Sequence, residues 1–344
     1  MQPLRIAQVM ASGPVHGGLE KHFVELCNGL SSQHEVLALA HPAHAKGMRK
    51  QVKFQPLDLT FSRHSPLNLF RLHRSLRSFE PDVVHAHANK AAAMISALRR
   101  FTSASIVGTV HGFKRSNRAF RNLDAVIAVS PAIREHLGLP QVHVICNGIP
   151  LSKSPPLDPH YFLRQFGLSQ TRPVVVSVGR LAAVKGYAGL INAWPGVDAD
   201  LLIVGEGPER AVLERLIVEH RLTDRVQLVG YRDDVPAIMS HSDLVVISSE
   251  REGFPYVMVE ALHLKKVIVA THFPGAASLL PEGYVVPYGE PVLLRKAIAT
   301  ALSNSAQASL DYQATWQEAK QSFTVESMVE DTNSVYDQLF RAAA

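Results

Sequence analysis

Short, largely uninterrupted runs of β-branched and other apolar residues, separated by helical stretches, constrain this chain most. Leu4–Met10, Val83–His85, Ile106–Val110, Ala125–Val129 and Val142–Ile145 form one series. Val174–Val178, Leu201–Val204, Val226–Val229, Leu244–Ile247 and Val267–Ala270 form a second. Runs that do not alternate with polar residues belong to strands buried on both faces, the condition of parallel sheets covered by helices. Parallel neighbours need crossover connections, so the pattern predicts repeated β-α-β units. The fold class expected is α/β, with doubly wound sheets.

A chain of 344 residues is too long for one ordinary core and suits two domains. The segment Asn147–Pro156, rich in Pro, Ser and Gly, interrupts the alternation and is the best candidate linker. Two doubly wound domains, 1–152 and 153–322, would leave a cleft between them. The tail from Val325 to Phe340 has a helical pattern. No repeat of solenoid length and no low-complexity tract is present.

The composition, 47% hydrophobic and 19% charged, is that of a folded soluble protein. Apolar runs such as Ala91–Leu98 are too short to span a bilayer. The N-terminus enters a strand-like run without a signal-peptide layout. Cys27 and Cys146 are the only cysteines, so no disulfide framework is implied and the cytoplasm is the expected compartment. Charge is divided unevenly: residues 1–150 hold 18 Lys and Arg against 8 Asp and Glu, the remainder 17 against 22. Much of the positive charge sits at Arg63, Arg71, Arg74, Arg77, Arg99, Arg100, Lys114, Arg115, Arg118 and Arg121. Leu67, Leu69, Phe70, Leu72 and Leu76 interleave with the first of these in a basic amphipathic helix. Such a helix either rests on an anionic membrane surface at the inner face of the cell membrane or packs its apolar side into the core. Nucleic acid fits less well, because no recognised nucleic-acid motif accompanies the charge.

Candidate chemistry gathers where strands end. Glu252-Gly253-Phe254-Pro255 and then Glu260 follow the strand-like Leu244–Ile247, with a helix expected after Pro255. Open α/β sheets bind ligands at that end of their strands, and a helix N-terminus there favours anions. Arg180 and Lys185, in the loop after Val178, offer a planar fork and a mobile point charge suited to a diphosphate without metal. Glu260 could accept from two ribose hydroxyls, and Glu252 could reach a sugar beyond the phosphates. Gly205-Glu206-Gly207-Pro208 is a weaker glycine signal marking a tight turn. In the first half, Gly17 and Gly18 allow backbone amides to approach a phosphate or acceptor closely. His111, at the end of Ile106–Val110, could bond a sugar hydroxyl. Asp198-Ala199-Asp200 has metal-binding spacing but lies before a strand and reads as a turn. His85-Ala86-His87 is a pair without further ligands at convincing spacing, so no metal is expected.

Together these residues resemble the retaining glycosyltransferases of family 4. The similarity runs from Gly17-Gly18 through Ala128-Val129-Ser130, Asn147-Gly148-Ile149, Gly179-Arg180-Leu181 with Lys185-Gly186, and Gly205-Glu206-Gly207-Pro208. It continues through Gly230–Val235 to Glu260-Ala261-Leu262. The resemblance implies the GT-B fold of two facing Rossmann-like domains with an interdomain cleft, and a last helix, near 323–344, that returns to the first domain. It further implies a nucleotide-sugar donor, such as a UDP-sugar or GDP-sugar, in the second domain, with no metal or other cofactor. Arg180 and Lys185 would hold the diphosphate and Glu260 the ribose. Glu252 with the backbone of Gly253, Phe254 and Pro255 would grip the donor sugar, which His111 would contact from the first domain. The catalytic set would then be His111, Glu252, Arg180 and Lys185, and Gly17 and Gly18 would join the donor-binding residues. The first domain would bind a glycan or lipid-linked acceptor, as in lipopolysaccharide or other surface-polysaccharide synthesis. Two positions depart from the family pattern: Cys146 stands where proline is usual, and Gly275-Ala276-Ala277-Ser278 replaces a more common Gly-Gly-Glu. A sugar-nucleotide epimerase of the same fold would share the donor-binding residues but need no acceptor, whereas a partner subunit without catalysis would be expected to have lost donor groups that this chain keeps.

Overall fold

The computed structural model of the chain describes residues 2–14, 17–114, 116–150 and 159–343. Arg115 of the basic cluster and the linker residues 151–156 lie outside the described residues. The chain divides into two units, Met1–Pro150 with Ser322–Ala344, and Leu151–Gln321.

The first unit holds a seven-stranded sheet: β1 (Arg5–Met10), β2 (Glu35–Ala40), β3 (Lys53–Pro56), β4 (Val83–His87), β5 (Ser105–Val110), β6 (Ala125–Ala128) and β7 (Val142–Val144). Their order is β3-β2-β1-β4-β5-β6-β7, with every neighbouring pair parallel. The second unit holds β8 (Val174–Val178), β9 (Asp200–Val204), β10 (Val226–Gly230), β11 (Leu244–Ile247), β12 (Ile268–Thr271) and β13 (Val285–Val286), ordered β10-β9-β8-β11-β12-β13 and again parallel. Each sheet reverses its winding once, between β1 and β4 and between β8 and β11. A reversal opens a crevice at the carboxyl ends of the two strands, because their following helices lie on opposite faces. Buried β-branched runs made the central strands legible. Three strands were not: β2 reads Glu-Val-Leu-Ala-Leu-Ala, β3 is an edge strand of Lys-Phe-Gln-Pro, and β13 has two residues.

The last helix, Val325–Ala343, packs on the first, Gly18–Leu30, within the first unit. Their approach is close enough that a Cβ added at Gly29 would sit 2.4 Å from Val329 Cγ2. Met328, Val329, Val335 and Tyr336 join Phe23, Leu26 and Leu30 in the core behind β1. The entering backbone is pinned as well: Ile149 N donates to Phe323 O and Val325 N to Ile149 O. Among the described residues, no helix is long and apolar enough to cross a membrane.

Candidate active site

In the second unit the loops leaving β8, β9, β11 and β12 are locked to one another at the reversal point. Leu181 N donates to Glu206 O at 2.9 Å, Glu250 N to Val184 O at 2.9 Å, and Ser248 Oγ to Lys185 O at 2.9 Å. Thr271 Oγ1, at the end of β12, donates to Ser249 O at 2.6 Å. Two glycines make this packing feasible. Gly186 has φ +67°, and a Cβ there would lie 2.0 Å from Ser248 O. Gly205 has φ +144° and would place a Cβ 2.0 Å from Gly179 O. Any side chain would drive these loops apart.

The side chains on this rim are arranged by charge. Lys185 Nζ donates to Glu252 Oε1 at 2.5 Å, and Ser249 Oγ donates to the same oxygen at 2.8 Å. Lys185 and Glu252 are 23% and 15% exposed, so the pair is only partly screened by water. Both bonds fall on Oε1, which leaves Oε2 to accept from another hydroxyl. Beneath them the Tyr187 hydroxyl is buried; burial, then the Glu252 charge, holds its proton well above the usual phenol range. Arg180 is exposed at the start of the loop. Gly253, Phe254 and Pro255 are buried, and Pro255 leads into the helix Tyr256–His263, which has no side-chain cap at its N-terminus. Glu260 is half-buried on that helix. Gly275, in the segment that departs from the family pattern, packs closely on Gly253: an added Cβ would stand 3.1 Å from Gly253 O.

Sequence reasoning assigned Lys185 to phosphate and Glu252 to sugar as separate groups; the structure joins them directly. It also brings in Ser249 and Tyr187, which carried no signal beyond their place after β11 and at the start of the helix Tyr187–Ala193. Asp200 is the first residue of β9 rather than part of a turn. It is buried and engaged by Arg172 Nε at 2.8 Å and Ser169 N at 3.0 Å, while Asp198 is exposed. The Asp-x-Asp spacing therefore marks a structural ion pair.

In the first unit, Gly17 and Gly18 lie at the N-terminus of the helix Gly18–Leu30, again without a side-chain cap. His111 follows β5 and sits in a cluster that the sequence did not reveal. His85 and His87, two apart on β4, share one face of the strand and stack at 4.4 Å between centroids. The rings of His22 and His111 meet edge-on at 4.6 Å, and His87 lies 5.5 Å from His22 and 5.8 Å from His111. A hydrogen-bonded chain runs behind them: His87 Nε2 to Gln8 Oε1 at 2.7 Å, Gln8 Nε2 to Tyr336 Oη at 3.0 Å, Tyr336 Oη to His85 Nδ1 at 2.5 Å, and His85 Nε2 to Thr109 Oγ1 at 2.6 Å. His22 Nδ1 lies 3.0 Å from Asn147 Oδ1. Burial lowers the pKa of His22 to about 4 and of His85 to about 3, and holds His87 and His111 well below the usual value. All four rings are neutral at pH 7.

The basic helix, Pro66–Phe79, serves both sides. Leu72, Leu76 and Phe79 are buried, whereas Leu67, Phe70, Arg71, Arg74 and Arg77 are exposed. Phe61, at 68%, and Phe101, at 66%, are exposed as well.

Two family models match the chain: glycosyltransferase family 4 over residues 16–153 and glycosyl transferases group 1 over residues 162–322. The lipopolysaccharide core biosynthesis glycosyltransferase LpsD of Rhizobium meliloti is 29% identical over 82% of this chain and 84% of its own length. LpsE of the same organism is 26% identical over 78% and 79%. Among solved structures, Anabaena HepE in complex with UDP and glucose superposes with a TM-score of 0.86 at 22% identity, covering 97% of this chain and all of that one. The two Rossmann-like sheets and the paired family matches together place the chain among the family 4 glycosyltransferases of GT-B fold.

Proposed function

We propose that the chain transfers a hexose or N-acetylhexosamine from a nucleoside diphosphate sugar to a glycan or lipid-linked acceptor. The Arg180, Lys185 and Glu252 rim at the β8/β11 reversal carries this reading. In it the second unit holds the donor: Arg180 and Lys185 take the diphosphate, Glu260 the ribose hydroxyls, and Glu252 Oε2 a sugar hydroxyl. The backbone of Gly253, Phe254 and Pro255 shapes the sugar pocket. The first unit takes the acceptor.

The chemistry needs charge stabilisation above all. As the bond from the anomeric carbon to the diphosphate oxygen breaks, negative charge grows on the leaving group. Two fixed cations oppose it without a metal at the diphosphate. The acceptor hydroxyl attacks from the face the diphosphate leaves, its proton passes to a departing phosphate oxygen, and a glycoside with retained configuration forms beside a nucleoside diphosphate. Relatives in lipopolysaccharide core synthesis favour a cell-surface glycan as the acceptor. The exposed Phe61, Leu67, Phe70 and Phe101 among Arg71, Arg74 and Arg77 would seat the protein on the anionic cytoplasmic leaflet where such an acceptor resides.

The test is incubation with UDP- and GDP-linked sugars and a panel of lipid-linked glycans, read by nucleoside diphosphate release and by proton NMR of the product. Acceptor-dependent release with the donor's anomeric configuration kept is expected. Interconversion of the sugar nucleotide without acceptor would favour an epimerase, and no turnover of any donor would favour a partner subunit.

A further inference from the structure

The histidine cluster in the first unit is more than a satisfied polar core. One ring nitrogen from each of His22, His87 and His111 lies within 4.8 Å of one from each of the others. Among the described residues, three buried ring nitrogens have no hydrogen-bond partner: His22 Nε2, His87 Nδ1 and His111 Nε2. Buried polar atoms left without partners are rare and costly, so three on neighbouring rings point to an occupant.

The hydrogen bonds on the other side of two rings decide what those nitrogens offer. Asn147 Oδ1, an amide oxygen, can only accept, so His22 carries its proton on Nδ1 and a lone pair on Nε2. Gln8 gives its amide N–H to Tyr336 and turns its oxygen to His87, so His87 carries its proton on Nε2 and a lone pair on Nδ1. The remaining links agree: the Tyr336 hydroxyl donates to His85 Nδ1, and His85 Nε2–H donates to Thr109. The unpartnered atoms of His22 and His87 are therefore both lone pairs. Metal-binding histidines are built this way, with the second nitrogen donating to an oxygen that fixes tautomer and ring orientation. The rings are neutral, the state that ligates.

We propose that His22, His87 and His111 form a binding site for a divalent transition metal of the zinc class. Three imidazoles from a helix, from the end of β4 and from the loop after β5 would occupy three positions of a tetrahedral ion. The fourth position would be left for water or a hydroxyl. Borderline nitrogen ligands without carboxylates select zinc, cobalt or nickel over magnesium and calcium. His22, His87 and His111 belong to the first unit and Arg180, Lys185, Glu252 and Glu260 to the second. Only His111 is shared with the donor reading, so nucleotide binding measured in chelator distinguishes failure of one from failure of the other.

The test strips the full-length protein with a chelator, then titrates Zn2+ by calorimetry and Co2+ by visible spectroscopy. One equivalent is expected, with the intense d–d bands of tetrahedral Co2+ and an X-ray absorption signature of three imidazoles. Asn147→Ala should weaken Zn2+ binding within the roughly 10–100-fold that loss of an outer partner costs, and His111→Ala by more. His64→Ala, on the surface, should leave binding unchanged. An octahedral Co2+ spectrum, fewer than three imidazoles at the metal, or Zn2+ affinity indifferent to His111→Ala would overturn the proposal.

Discussion

Glu252→Gln separates the two roles that meet in the Lys185–Glu252 pair. The amide keeps the shape of the carboxylate and can still accept from Ser249, but it removes the charge that Lys185 Nζ meets at 2.5 Å. The Lys185 bond stays charge-assisted through its ammonium, whereas the Ser249 bond becomes neutral; a hydrogen bond to a charged group contributes about 1.5–3 kcal/mol and a neutral one about half of that. The free protein should therefore lose about 0.8–1.5 kcal/mol, seen as a fall of about 2–6 °C in the midpoint of thermal unfolding. Nucleotide binding should move the other way. With Glu252 neutral, the full charge of Lys185 is available to the diphosphate, so nucleoside diphosphate should bind as tightly as before or more so. Transfer should fall, because the sugar loses an ionised acceptor. Calorimetry with the nucleoside diphosphate, beside a transfer assay on the same preparation, reads both. Lys185→Ala provides the contrast, with binding weaker by about tenfold or more. Should Glu252→Gln weaken nucleotide binding severalfold, the carboxylate would be acting on the diphosphate site by another route, and the division of roles would be wrong.

Other predictions concern stability. Gly186→Ala and Gly205→Ala should each cost more than about 3 kcal/mol in urea unfolding, since an added Cβ meets a carbonyl oxygen at 2.0 Å. Gly189→Ala, in the helix Tyr187–Ala193 with nothing within 4 Å, should gain about 0.5–1 kcal/mol. Gly29→Ala should cost about 1–3 kcal/mol by crowding Val329, and Val329→Ala in the same chain should recover part of it, a coupling absent if the helices Gly18–Leu30 and Val325–Ala343 do not pack. The neutral histidines impose a pH dependence. His22 titrates near 6.5 when unfolded and near 4 when folded, so the unfolded chain binds more protons in between. Stability is full above pH 6.5 and falls by up to about 1.4 kcal/mol per pH unit for each such histidine as pH drops toward 4. Chelated protein should show this in its unfolding midpoints, and His22→Asn should make the slope shallower.

How much of this was readable beforehand differs between fold and site. Strands buried on both faces announce themselves through β-branched runs, so β1, β4 to β6, β8, β11 and β12 were visible nearly residue by residue. β3 was not, because an edge strand has little apolar demand. For the site, position after a strand was enough to single out Arg180, Lys185, Glu252 and His111. Contacts among them were not legible, because they depend on strand order. Lys185 meets Glu252, 67 residues on, only because β8 neighbours β11. His87 has no further ligand at close sequence spacing, since His22 and His111 flank it only through the order β1-β4-β5. The alternate positions of His85 and His87 on one strand face were the signal that a polar cluster lay there.

The central claim is that the rim at the end of β8 and β11 is a donor site that needs no metal at the diphosphate. Calorimetric titration of UDP, GDP and ADP into native protein and Glu260→Ala, in the presence of chelator, tests it most directly. One of the three should bind native protein strongly, and loss of both ribose contacts should weaken it by about 100-fold or more. Failure of all three to bind, or binding untouched by Glu260→Ala, would contradict the donor site as assigned.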